Sequence, residues 1–317
     1  MYNEELKERF INQAAVSVST RKKYRTIFDI TESIESEEGL DLCCMDAKLV
    51  KRCIEKCGIK TESIAQAHAL IKNYSKWCIE QEIEGAKYSI RDVYISDLAV
   101  NRIKETTVSS PFHLQKCLDE VFAKEDNLEF SLTYRCFLWL AFIGCPEDIA
   151  FKLKTTDVIL QEMIVKTKIG NETYEFPIYR EALKTFKYCS ELDYFMSSNP
   201  NYKKVYKLPR VSSNQLLRGL KKEATQARFR NEVSKLVRAA NTTKLSYSHV
   251  FMSGIFYRKY QEELAGMRVD FSDVVDYITD GKEYVMKSGK DYKNWRKNRQ
   301  EVYMEMDYDK WKMAFQK

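Results

Sequence analysis

The sequence predicts a mainly α-helical protein of two domains, with one small antiparallel sheet in the second. Three observations predict it. The 317 residues exceed one ordinary domain. Only 5 Pro and 10 Gly occur, too few for a turn-rich all-β fold. Apolar residues recur at helical spacing along most of the chain and change period in one short stretch.

A short helix opens the chain. The next signal is Ser19-Thr20-Arg21-Lys22-Lys23-Tyr24-Arg25, where Ser19 or Thr20 suits a helix cap and Tyr24, Ile27, Phe28 and Ile34 follow at helical spacing. A second helix runs from Asp46, with Leu49, Val50, Cys53, Ile54 and Cys57 on one face and Gly58 as its stop. A third starts near Thr61 and buries Ile64, Ala67, Ile71, Tyr74 and Cys78. These helices make a small first domain, 1–95. Residues 85–110 read as a polar connection.

The second domain, 96–317, opens with Ser110-Pro111, a cap followed by Pro in the first helical position. Leu114, Cys117, Leu118, Val121 and Phe122 form the buried face of that helix, and an apolar helix follows over 131–144. The period then changes. Residues 158–165 and 173–178 read as strands, with Ile169-Gly170-Asn171 as a hairpin turn. Helices resume over 180–190, 212–222, 226–240 and 248–265, with further pieces up to Trp311.

Composition narrows the function. Hydrophobic residues make up 44% and charged residues 31%, as in globular proteins. The longest apolar run, Cys136 to Gly144, is too short to span a bilayer. Nine Cys without a CxxC pair point to reduced thiols inside a cell. Three His make a zinc centre or His-rich catalytic site improbable, and no cofactor motif is present. The expectation is a cytoplasmic protein with no metal, no cofactor and no membrane partner.

Charge is segregated. Eleven basic residues fall between Lys203 and Arg238: Lys203, Lys204, Lys207, Arg210, Arg218, Lys221, Lys222, Arg228, Arg230, Lys235 and Arg238. Only Glu223 and Glu232 oppose them, so this excess is larger than the net charge of +6 and leaves the remainder slightly acidic. That is the electrostatic footprint of a nucleic-acid binder, although a solvated helix face has the same composition. Arg21, Lys22, Lys23 and Arg25 form a smaller footprint.

Several segments resemble the phage integrases, or tyrosine recombinases. Residues 137–158 resemble the family block around its first catalytic Arg, with Gly144, Leu153, Asp157 and Val158 in register. Pro146 then stands at the Arg position and Ile149 at the Glu position. Lys166-Thr167-Lys168-Ile169-Gly170 resembles the turn that carries the catalytic Lys, matched by Lys168. Leu245 to Met252 resembles the His-x-x-Arg box, with His249 in place and Met252 at the second Arg. Within the family the match is closest to the MrpR group, repressors of SPbeta-like Bacillus phages.

The resemblance implies a SAM-like core-binding domain followed by a tyrosine-recombinase catalytic-like domain, the two closing on duplex DNA. In such enzymes two Arg hold the phosphate oxygens of the transition state while a Tyr attacks, and no apolar side chain supplies that fork. Pro146 and Met252 therefore imply a binder that does not cut: a repressor of lytic genes in a prophage, free to self-associate at its operators. Tyr277, Tyr284 and Tyr292 lie where a nucleophile would stand but lack its flanking box. An active recombinase with atypical residues is the alternative. The residues expected on DNA are Arg21, Lys22, Lys23, Arg25, Lys168, Arg210, Arg218, Lys221, Lys222, Arg228, Arg230, His249 and Arg258. Ordinary uses compete: an exposed hairpin Lys168, a helix-start His249, and an Arg258 paired with Glu262.

Overall fold

A computed structural model describes residues 1–15, 17–58, 60–122, 128–169, 171–198, 205–210, 213–218, 226–240, 244–272, 274–275 and 292–316. The chain divides into two compact units. The first contains Met1–Ile103 and Asp270–Lys317, the second Lys104–Val269. A boundary near 95 that gives everything after it to the second domain misses the return of the C-terminus to the first unit.

The first unit is built from α1 (Glu4–Ala14), α2 (Val18–Glu38), α3 (Ala47–Cys57) and α4 (Thr61–Glu80). Ser17, rather than Ser19 or Thr20, caps α2, its side chain accepting from the Thr20 N–H at 3.1 Å. Gly39 ends that helix in the left-handed region at φ 64°, a conformation cheap only for glycine. Asp46 caps α3 through the Leu49 N–H. Gly58 follows α3 in extended conformation, not as a left-handed stop. Phe10, Phe28, Tyr74 and Trp77 pack ring against ring at the centre.

The expected connection over 85–110 is largely structured. Ile90, Val93, Leu98 and Ala99 are buried in the first core, and α5 (Val100–Thr106) follows. Alternation of polar and apolar residues in short 3-10 turns hides this from a helical or strand template.

The second unit is organised around α7 (Leu128–Phe142). Its second half, Cys136 to Phe142, is apolar on all sides and lies buried. Around it stand α6 (Pro111–Phe122), the single turn α8 (Glu147–Ala150), α9 (Leu183–Glu191), α10 (Gln226–Ala239) and α11 (Tyr247–Leu264). Pro111 opens α6 as expected, with Ser110 Oγ accepting from the His113 N–H. The antiparallel sheet runs in the order β1 (Val158–Ile159), β2 (Ile164–Ile169), β3 (Glu172–Pro177). Ile169 pairs with Glu172, which fixes a two-residue turn, and Lys168 faces Thr173. The expected strand 158–165 is broken by a turn in which Met163 takes φ 56°.

Two further differences matter. A second hairpin exists, β4 (Tyr194–Ser198) with β5 (Val205–Pro209). The expected helix over 212–222 is absent from its described part, 213–218. There Gln215 bridges Lys154, and Leu216 and Leu217 are buried. The last helix, α12 (Tyr292–Phe315), belongs to the first unit.

Candidate nucleic-acid interface

The basic segment is two different structures. Arg210 and Arg218 are buried, 7% and 6% exposed. Arg210 Nη1 donates to the carbonyls of Cys189 and Leu192 at 2.9 and 3.0 Å, and Nη2 to that of Leu216 at 3.1 Å. Arg218 donates to the Leu192 carbonyl at 3.0 Å and to Asp193 at 2.9 Å. Both guanidinium groups thus close the C-terminus of α9, where orphan carbonyls and the negative end of the helix dipole favour cations. Burial lowers the Arg210 pKa. These two residues, expected on DNA, are internal fasteners.

The α10 part is a surface. Phe229 and Val233 anchor the helix in the core, with Leu236 and Val237 half-buried beside them. The opposite face carries Arg228, Asn231, Ser234, Lys235 and Arg238, which with Glu232 line one open hollow. Arg228, Asn231, Lys235 and Arg238 stand three, seven and ten residues along, so they form one stripe. Asn231, Lys235 and Arg238 are exposed and Arg228 half-exposed. Lys235 also reaches Glu232 at 2.9 Å. Arg230 is turned away: its Nε donates to Glu147 at 2.6 Å and its Nη2 to the other carboxylate oxygen. That hydrogen bond to the Glu147 carboxylate raises the Arg230 pKa.

On α2, Lys22 and Lys23 are exposed. Arg21 is half-exposed, its Nε on the Ala15 carbonyl at 3.2 Å. Arg25 holds Glu8 with two bonds of 2.6 and 2.8 Å. Lys168 is exposed near the hairpin turn. Lys203, Lys204, Lys221 and Lys222 lie outside the described residues, as do Tyr277 and Tyr284. Tyr292 begins α12.

The corner between α7 and α8 holds the positions matched to the family's catalytic groups. Gly144 turns the chain at φ 85°, and a Cβ there would lie 2.4 Å from Arg258 Nη2. Arg258 lies across this turn and donates to the Phe142 carbonyl at 3.2 Å. Glu262, its expected partner, is held by Lys259 at 3.1 Å. Pro146 is buried and precedes α8 as its cap residue. Tyr247 donates to the Cys145 carbonyl at 2.7 Å and so pins α11 to the corner. His249 is half-buried in the first turn of α11, its N–H on the capping Ser246 at 3.2 Å, and Met252 follows half-buried. Among the described residues no His, Cys, Asp and Glu group could hold a metal, and no helix is long and apolar enough to cross a membrane.

Residues 1–81 match the family model of the MrpR N-terminal core-binding domain. This part of the chain is similar to the MrpR core-binding domain. The match covers α1 to α4, so the MrpR-type domain as a sequence unit stops before α12, although α12 packs in the same unit. No curated protein matches. Among solved structures, the Tn1549 transposon integrase in complex with a circular intermediate DNA is similar over 93% of this chain and 98% of that one, at 12% identity and TM-score 0.36. The same integrase with transposon right end DNA is similar at 14% identity and TM-score 0.33, over 93% and 98% of the two chains.

Sequence reasoning found the basic segment but not its division. It counted Lys235 and Arg238 in the basic segment without singling them out and left out Asn231, although their spacing from Arg228, with Phe229 and Val233 opposite, was readable as a helix face.

Proposed function

We propose that this MrpR-type protein binds duplex DNA at defined operators and represses lytic genes of a prophage in the bacterial cytoplasm, on a recombinase-like scaffold that does not cut. The observation that carries the reading is the corner at Gly144–Glu147. The residue matched to the first phosphate-binding Arg is a buried Pro146, which has neither charge nor donor. Met252 at the second matched position has only a thioether. Arg258 lies over Gly144 with a guanidinium nitrogen on a main-chain carbonyl.

The charge distribution supports binding. Each cation that neutralises a phosphate releases counterions, which sets affinity and its salt dependence. Arg228, Lys235 and Arg238 on α10, Lys22 and Lys23 on α2, and Lys168 beside the hairpin turn are the phosphate contacts of this proposal. Asn231, central on the α10 stripe, has the amide that suits an adenine edge.

The test uses labelled duplexes from the protein's own genome. Native gels count complexes and denaturing gels count protein-linked DNA. Site-selective, salt-sensitive complexes without a covalent adduct are expected. An adduct lost on a Tyr→Phe change would make the protein a recombinase instead, and no binding at low salt would refute both.

A further inference from the structure

The ion pair of Arg230 and Glu147 joins two elements that the core already holds. Arg230 lies on α10 beside the buried Phe229. Glu147 opens α8, whose Ile149 and Ala150 are buried. Phe151, just after α8, meets the Phe229 ring edge-on with centroids 5.4 Å apart. The two charged side chains therefore face each other from fixed roots, and the docking of α10 does not depend on their pairing. The Arg230 side chain is 58% exposed, and ion pairs this open to water add little to stability.

The pairing is fork on fork. Arg230 Nε donates to one Glu147 carboxylate oxygen at 2.6 Å and Nη2 donates to the other. A guanidinium grips two phosphate oxygens in the same planar, two-bond manner. The carboxylate thus occupies the donors that a phosphate would take. Lys235 is held less specifically, since its ammonium meets Glu232 of its own helix at 2.9 Å as a point charge.

The place of Arg230 on α10 gives this occupancy a consequence. Arg230, Ser234 and Arg238 follow one another at every fourth residue, so they share a row on the helix, and all three are exposed. Ser234 and Arg238 line the hollow of the basic stripe. A released Arg230 would add one more cation to that row.

We infer that Glu147 is an internal stand-in for a DNA phosphate, an autoinhibitory contact that withholds Arg230 from the duplex. The inference rests on the DNA-binding reading above. A guanidinium that must first leave a carboxylate contributes less to binding than a free one. Glu147 thereby keeps down the part of the affinity that is blind to sequence and leaves binding to the exposed stripe.

The experiment measures affinity of the full chain for two duplexes between about 50 and about 200 mM salt. One is a site selected in the gel assay above, and the other is a shuffled duplex of the same composition. Glu147→Gln removes the charge but leaves Asp148 at the start of α8. It should keep the unfolding midpoint, steepen the salt slope by about 0.9, and tighten binding roughly five- to tenfold near 0.1 M salt. Both duplexes should gain alike, because a backbone contact carries no sequence information. Arg230→Gln alone should leave the slope unchanged, and added to Glu147→Gln it should abolish the gain. If Glu147→Gln unfolds early, Glu147→Asp is read instead: one methylene shorter, it loosens the fork and should give a smaller gain of the same sign. A lower slope in Arg230→Gln alone would mean that Arg230 already touches DNA, and would overturn the inference. So would a folded Glu147 variant without a gain. A gain that survives Arg230→Gln would reflect only the lost acid, and a change confined to the selected site would mean that α10 had moved; either refutes the inference while leaving the DNA-binding reading intact. Failure of the unsubstituted protein to bind any duplex overturns both.

Discussion

At the scale of single residues, burial decides what a charge is for. Lys7 and Glu35 are both fully buried, with Lys7 Nζ 2.6 Å from each carboxylate oxygen. Glu35 also accepts from Thr31 Oγ1 and from the Leu42 N–H, each at 2.9 Å. The carboxylate therefore ties α1, α2 and the turn before α3 together. Removing one partner leaves the other charged and dry, so Lys7→Ala should cost about 3–5 kcal/mol. The pair Lys7→Met with Glu35→Leu should cost less than the single change, because two apolar side chains fill the space without a stranded charge. Urea denaturation of the three proteins decides it, and a double variant no better than Lys7→Ala would be the wrong result. His113 gives a pH signature. Burial, then the charges of Lys244 and Lys116, lowers its pKa below 6.5. Its Nδ1 accepts from the Ser109 N–H at 3.1 Å, a bond that a ring proton would destroy. A depressed folded pKa means stability that is present above pH 6.5 and lost as pH falls from there towards the folded value. The melting temperature should drop between about pH 7 and about pH 5, and His113→Gln, which keeps an acceptor, should drop less. Equal drops in the two proteins would remove His113 as a cause.

At the scale of elements, one close approach in the second unit is backbone on backbone. Gly254 in α11 lies so near the end of α7 that a Cβ would fall 1.8 Å from the Phe142 carbonyl oxygen. Gly254→Ala must therefore separate α7 from α11, at a cost of about 1–3 kcal/mol or more. Ser253, the neighbouring residue, accepts from the Val108 N–H at 3.0 Å, so the segment before α6 moves with it. The denaturant midpoint reads this directly, and an alanine variant as stable as the parent would disprove the close crossing. The sequence shows why some elements were legible and others not. The apolar run at 136–144 has no reading but a buried helix, and α3, α4, α6 and the β2–β3 hairpin follow from period and turn chemistry. The β4–β5 hairpin does not, because its pairing is set by tertiary neighbours. The segment 213–218 has helical composition, yet Leu216 and Leu217 are drawn into the core while Arg210 and Arg218 close α9. The same fact limited the site. A count of charges cannot tell Arg218, with its guanidinium inside, from Arg238 on the surface.

At the scale of the whole molecule, the second unit is an insertion in the first. The chain leaves the first unit after Ile103 and returns at Asp270, and α12 completes what α1 to α4 begin. No window of sequence shows this, because the decisive contact joins Thr61 to Asp307. A fragment ending at 103 lacks the cap of α4 and uncovers the surface against which Trp311, fully buried, and Tyr308 pack. Burying one large apolar side chain contributes about 1.5–3 kcal/mol, and an Asp cap about 1 kcal/mol. Residues 1–103 alone should therefore unfold at clearly lower urea than 1–103 joined by a flexible linker to 270–317. Point changes in the full chain separate the causes. Asp307→Asn keeps an oxygen for the Thr61 N–H, so it should cost less than Asp307→Ala, which strands Lys310, only 1% exposed. Adding Lys310→Met to Asp307→Ala should recover part of the loss, since the stranded charge goes with it. If both fragments unfold together, or if Lys310→Met recovers nothing, then α12 lies on the first unit without supporting it.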